Sequence, residues 1–466
     1  MKHIASLFCL IAIMLFSSCG EDRTHEYYEL IERQTWIKSV MDKYYLWYED
    51  IPELREEDYF KDIEPFFKSL LSQKALNGKG DHYSYLEDFS VPQPQPEARA
   101  LDHHSTYGME FALFSDPLGA SAHTFARILY VVPDSPADMA GLRRGDWLSA
   151  INKEKINTSN AKNLINGNDI RVAREELVST NGKLNWKHKD TLQITASRPM
   201  EVSPFMVKSV YTIGGKKIAY LMYNEFTTGP LNDGAETVYN DEMVEIFQQF
   251  KAQSPDAFVL DLRYNSGGFV TCAQLLGSLL APSNSLGKNF FTLQFNDQQE
   301  DSTIEYPLLP TASQANLNLS KIYILVSDKT ASASEIIING LRPYMGEENV
   351  ILLGTKTEGK NVAMSQFRNE NYSFLIYPIT SYVQNAEGFN DYSEGFTPNY
   401  TINEYQLLNE WKELGDVNEL LLGSAIQLIL TGSLPLPPET EKSSFKELYN
   451  SLNSRNVKGN IIEAYQ

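Results

Sequence analysis

The stretch KIYILVSDKTASASEIIINGLRP, residues 321–343, joins an apolar run, a turn of small residues and a second apolar segment at helical spacing. Lys321 to Val326 reads as a strand. A helix is expected from about Ala333 to Leu341, ending before Pro343, which lacks a backbone donor and clashes with the preceding turn. Between them lies Thr330-Ala331-Ser332-Ala333-Ser334-Glu335, and Lys360 follows Ser332 by 28 positions in Thr357-Glu358-Gly359-Lys360. A serine hydroxyl attacks only if a neighbour takes its proton, and a lysine can do so where burial lowers its pKa toward neutrality. Histidine is the commoner base, but all seven lie at or before His188. Alone, Ser332 and Glu335 have the spacing of a helix capping box, and a lysine beside a glycine is commonly solvated. Together Ser332 and Lys360 point to acyl transfer.

The same grammar extends in both directions. Strands are expected at Lys217 to Phe226, Ala257 to Leu262 and Val350 to Leu353, with helices from Asp233 to Lys251 and Phe269 to Leu280. Alternating strand and helix implies right-handed crossovers and a largely parallel sheet, with ligand sites at the strand C-termini. Asp261-Leu262-Arg263-Tyr264-Asn265-Ser266-Gly267-Gly268 should therefore reach the same sheet edge as Ser332. A tight Gly267-Gly268 turn can present bare N–H groups to a developing oxyanion, with the N–H of Ala333 as second donor; one such donor is typically worth about 3 kcal/mol in the transition state.

At 466 residues, 42% of them apolar, the chain is long enough for several domains. Its 60 acidic against 40 basic residues, net −20, oppose nucleic-acid backbones, so nucleic acid is excluded as a partner. Lys2, the apolar run Ile4 to Phe16 and Ser17-Ser18-Cys19-Gly20 read as a signal peptide, residues 1–18, ending at a lipoprotein cleavage site with Cys19 lipidated. Thirteen residues, twelve of them apolar, fall short of the roughly 20 that span a bilayer. The expected address is the cell envelope, lipid-anchored to the outer membrane on its periplasmic or surface face. Cys272 would be the one thiol left in the mature chain, which excludes a disulfide framework or cysteine zinc site. No metal or cofactor is called for.

Aromatic and apolar residues from Ile31 to Trp47 recur at helical spacing and suggest a small N-terminal helical domain with a Pro92, Pro94, Pro96 linker, residues 19–100. Residues 105–202 hold short strands and turns. Within them Ser135 to Asn152, SPADMAGLRRGDWLSAIN, resembles a PDZ domain, and Tyr107-Gly108-Met109-Glu110-Phe111 sits where its peptide-carboxylate-binding loop belongs. Such modules add a peptide as an extra strand and hold its terminal carboxylate with backbone N–H groups. Residues 205–400 are the expected catalytic core, and 401–466 a C-terminal helical extension whose apolar run Leu420 to Leu430 packs back.

The PDZ stretch, the LRYNSGG turn, TASASE and the TEGK loop, in this order, resemble the carboxyl-terminal processing, or tail-specific, serine peptidases; Gly395-Phe396-Thr397-Pro398 extends the likeness. The resemblance implies a multidomain α/β protein with a crotonase-like core. It implies Ser332 as nucleophile, Lys360 as general base, Ala333 with Gly267 or Gly268 as oxyanion donors, and protein or peptide tails with accessible C-termini as substrates. Three positions depart from the pattern. Met364 stands where the family has a lysine-orienting glutamine, leaving Gln366 as the candidate for that role. Glu358 replaces an aromatic residue, and a close carboxylate is expected to raise the lysine pKa. Ser266 replaces a proline. Ser266 is expected to be tolerated, whereas Met364 and Glu358 sustain an alternative, a catalytically impaired tail-binding lipoprotein. An acyl-thioester enzyme on the same core explains neither the PDZ stretch nor the leader.

Overall fold

The computed structural model describes residues 24–88, 105–230, 236–299, 302–409, 411–434, 446–454 and 460–462. The expected leader, Cys19 and the proline linker lie outside these residues. At the centre is a six-stranded sheet in the order Phe205–Ile213, Lys216–Tyr223, Ala257–Asp261, Ile322–Val326, Val350–Gly354, Tyr400–Thr401. The first pair is an antiparallel hairpin and every later pair is parallel. Ile322–Val326 is buried along its whole length, as a central parallel strand covered on both faces must be.

Alternation along that strand sorts two layers. Ile322, Ile324 and Val326 face the helices Val238–Gln253, Val270–Leu280 and Ala333–Met345. Tyr323 and Leu325 face the helix Leu420–Thr431. A five-stranded sheet, Thr303–Pro307, Asn289–Phe295, Ile379–Asn385, Val362–Ser365, Asn460–Ile462, closes the first layer.

Three expectations change. The helix bearing Ala333 runs through Pro343 to Met345. Proline removes one bond of the helical ladder, and the freed carbonyl of Asn339 accepts from Asn385 Nδ2 at 3.3 Å instead. The N-terminal helical domain is present but shares its core with the central sheet: Ile37, Met41 and Tyr45, together with Phe66 and Phe67, pack into the same cluster as Ile322, Ile324 and Val326. The stretch after residue 401 is not simply helical. Besides Leu420–Thr431 it contributes Glu447–Asn450 to the 105–202 module and Asn460–Ile462 to the five-stranded sheet. Both would otherwise be open sheet edges, which readily recruit an extended segment.

The 105–202 module has a separate core built on Tyr107, Phe111, Leu142, Leu148 and Leu164. It is joined to the centre through a buried ionic cluster. Arg144 reaches Glu404 Oε2 at 2.7 Å and the Tyr264 hydroxyl at 2.7 Å. Arg263 donates to Glu419 at 2.7 and 2.9 Å, to Glu404 at 3.0 Å and to Asp261 at 2.8 Å. Burial pushes the Glu419 carboxyl up, but Arg263 and Arg144 outweigh it and hold it down at about 2. Glu419 also caps the helix Leu420–Thr431 by accepting from the N–H of Leu421 and Leu422.

Removing one partner of a buried pair strands the other's charge, so Glu419→Ala should cost about 3–5 kcal/mol in urea unfolding. A carboxyl whose folded pKa is depressed stabilises above its unfolded value of 4.5 and loses that contribution as pH falls through about 2. The wild-type chain should therefore lose stability across that interval. Glu419→Gln should flatten this part of the pH dependence, and an unchanged slope would refute the assignment.

Candidate active site

Three neighbouring parallel strands deliver three turns to one edge. Ala257–Asp261 leads into the glycine turn, Ile322–Val326 into the turn that starts the helix at Ala333, and Val350–Gly354 into the loop carrying Lys360. Side-chain hydrogen bonds lace them together. Thr330 Oγ1 donates to Leu262 O at 2.8 Å, and Asn265 O accepts from Ala331 N at 3.2 Å and from Ser334 Oγ at 3.0 Å.

Ser332 sits at φ 65° and ψ −118°, a left-handed conformation that costs an L-residue on the order of 1–3 kcal/mol and clusters at functional sites. It is fully buried, and its hydroxyl has no hydrogen-bond partner among the described residues. Only half of the expected capping box exists. Glu335 Oε2 accepts from the Ser332 N–H at 2.9 Å, while the Ser332 Oγ does not cap the helix.

Glu335 also binds the lysine loop. The oxygen that holds Ser332 N accepts from Lys360 N at 2.8 Å. Its other oxygen accepts from Gly359 N at 2.8 Å and from Thr357 Oγ1 at 2.6 Å. One carboxylate thus fixes the backbones of both candidate residues. Burial pushes its carboxyl up to about 7 against these four hydrogen bonds.

Lys360 is 4% exposed, which excludes the solvated alternative. Its Nζ lies 4.6 Å from the centroid of the Tyr83 ring. Burial lowers its pKa from 10.5 to about 7, outweighing Asp81, Glu358 and Glu335, each of which raises it. The expected upward pull of Glu358 is real and is overcome by desolvation. Met364 is buried in the main core, on the strand Val362–Ser365. Gln366 falls just beyond that strand, half-buried, and the carboxylates acting on Lys360 include Asp81, Glu358 and Glu335.

The glycine turn abuts the nucleophile. A Cβ on Gly267 would lie 2.7 Å from Ser332 Cβ and 3.0 Å from Ala333 N, and Gly267 has φ 108°. Its own N–H is engaged by Asn265 Oδ1 at 2.9 Å. The N–H groups of Ala333 and Gly268 have no hydrogen-bond partner among the described residues. Gly359 and Gly395 pack backbone to backbone: a Cβ on Gly359 would meet Gly395 N at 2.5 Å, which ties Gly395-Phe396-Thr397-Pro398 to the lysine loop.

Away from this edge, Tyr107 is buried and its hydroxyl donates to Asn168 O. Gly108 has φ 78°, and a Cβ there would fall 2.1 Å from Ser135 Cβ. Met109, Glu110 and Phe111 begin the strand Met109–Ser115. Asp81, Tyr83 and Asn265 were not singled out by the sequence. Asn265 stood within a quoted motif, whereas nothing local marks Asp81 or Tyr83.

Profiles of known families match three parts of the chain: Peptidase S41 N-terminal domain over residues 32–85, PDZ domain over 127–172 and Peptidase family S41 over 217–402. A crystal structure from Bacteroides fragilis NCTC 9343, of a protein assigned as an S41 protease, is 33% identical, with a TM-score of 0.74, covering 86% of this chain and 98% of that one. The "Probable CtpA-like serine protease" of Staphylococcus aureus strain COL is 24% identical over 371 residues, 78% of this chain and 66% of its own. The "Carboxyl-terminal-processing protease" of Synechocystis is 21% identical over 320 residues, 66% of this chain and 68% of its own. The chain belongs to Peptidase family S41.

Glu335→Gln leaves one acceptor oxygen facing four donors. Stranding buried donors at about 1–3 kcal/mol each should lower stability by about 2–5 kcal/mol in urea unfolding. An unchanged midpoint would mean that the carboxylate does not tie the two loops.

Proposed function

We propose that this chain is a serine endopeptidase that captures protein or peptide C-terminal tails and hydrolyses peptide bonds through an acyl-enzyme, with Ser332 as nucleophile and Lys360 as general base. The observation that carries this is the buried Lys360 amine, its pKa lowered to about 7, in a loop tied through Glu335 to the backbone of Ser332, whose hydroxyl has no hydrogen-bond partner among the described residues. Ser332 Oγ attacks the scissile carbonyl carbon as its proton passes to Lys360 Nζ. The oxyanion that forms is met by the N–H of Ala333 and, of the two glycines, by that of Gly268, because the N–H of Gly267 is already engaged. The ammonium then protonates the leaving amine, and water repeats the cycle on the acyl-serine. Gln366, half-buried just beyond the strand Val362–Ser365, is kept as the candidate for orienting Lys360.

Ser332→Ala and Lys360→Ala should each reduce hydrolysis of an unfolded protein by roughly 10⁴-fold or more while circular dichroism stays native. Full turnover in either variant would sink the assignment and favour the impaired tail-binding alternative. A base works only when neutral, so kcat/KM should rise with pH through about 7 and be lost below it. A limb near the ordinary lysine value would contradict the burial argument.

The tail-binding loop is proposed at Tyr107 to Phe111. We further propose that the mature chain is anchored in the cell envelope by lipid on Cys19; no helix among the described residues is long and apolar enough to cross a membrane. Cys19→Ala should move the protein from the detergent phase to the aqueous phase in detergent partitioning. Unchanged partitioning would refute the anchor.

A further inference from the structure

A strand that accepts a peptide by addition needs a free edge, and here that edge is taken by the chain itself. Met109–Ser115 pairs antiparallel with Glu447–Asn450, in the register Phe114 with Glu447, Leu113 with Tyr449 and Ala112 with Asn450. Lys446 closes one end, its carbonyl accepting from Ser115 N at 3.0 Å. At the other end Ser451 Oγ accepts from Phe111 N at 2.9 Å and donates to the Glu110 carboxylate. The segment therefore runs toward Gly108, as a bound C-terminal tail would. A serine hydroxyl occupies one N–H of the loop assigned to the terminal carboxylate.

The occupant is polar. Asn450 and Ser451 are buried, Leu448 is 37% exposed, and apolar anchoring comes from Tyr449, its ring tilted against Phe111 at 5.9 Å, and Leu452. Strand addition draws its affinity from the backbone and tolerates many sequences, so a tail with better apolar anchors can compete for the same edge. The segment also touches the catalytic side. Glu447 pairs with Lys329 at 2.8 Å, three residues before Ser332. Further on, Asn460–Ile462 pairs with Val362–Ser365, the strand that follows Lys360.

We propose that residues 446–452 are a built-in occupant of the tail-binding edge, displaced by the C-terminus of a substrate protein. Displacement breaks the Glu447–Lys329 pair, so tail capture is felt at the turn that carries Ser332. This rests on Tyr107 to Phe111 being the tail-binding loop.

The test uses the full mature chain and a fluorescein-labelled peptide ending in Leu-Val with a free carboxylate, read by anisotropy. Tyr449→Pro removes a backbone donor from the occupant and leaves Met109–Ser115 untouched. It should tighten peptide binding about tenfold, since an edge that is open a tenth of the time weakens apparent affinity by that factor. Ala112→Cys combined with Asn450→Cys places two thiols at paired positions. Binding should vanish when this variant is oxidised and return on reduction, a comparison within one folded protein. Peptide binding that ignores both the lock and Tyr449→Pro would overturn the built-in occupant while leaving tail capture standing. Absence of binding to the wild type, Tyr449→Pro and the reduced double variant alike would overturn the tail-binding loop, and this proposal with it.

Discussion

The geometry of the candidate site depends on a single buried carboxylate. Glu335 carries four hydrogen bonds on two oxygens, and one of those oxygens holds the backbone N–H of both Ser332 and Lys360. Two loops from different strands are thereby referenced to one point. The serine side chain is left without a hydrogen-bond partner among the described residues, on a backbone held at φ 65°.

A second constraint concerns how far the PDZ domain is from being an independent appendage. Arg144 leaves it to join Arg263, Glu404 and Glu419, with Tyr264 and Asp261 completing the cluster. Arg263 lies two residues before Asn265, whose amide holds the turn at Gly267. The domain joint and the glycine turn are therefore parts of one polar framework, in which every buried charge needs its partner.

Much of this could be read from the chain. The strand, turn and helix around Ser332 follow from apolar periodicity, and the paired glycines mark a tight turn, which the structure places so close to Ser332 that a Cβ on Gly267 would lie 2.7 Å from its Cβ. Lys360 was legible as a residue type, and its low pKa was not: the outcome turned on burial overcoming three carboxylates. By local rules Pro343 ends its helix; the helix continues to Met345 because the carbonyl that the proline frees is satisfied by Asn385, which is remote in sequence. The strands after residue 446 escaped notice because an edge strand that completes another element's sheet has little apolar alternation of its own. Asp81 and Tyr83 carry no local motif, and their part in the site exists only through the fold.

Those last two residues limit how the protein can be divided. The ring of Tyr83 covers the Lys360 amine, and Asp81, held by Tyr45 and Ser84, is among the carboxylates acting on it. Both come from the region N-terminal to the PDZ domain. A shortened derivative that kept only the serine, the lysine and their sheet would hydrate the amine from the Tyr83 side and drift toward a permanently charged, inert base. A splice that sheds the N-terminal segment would strip the amine of this cover, and one that exchanges the PDZ domain must carry Arg144, whose charge the buried Glu404 and Glu419 carboxylates need.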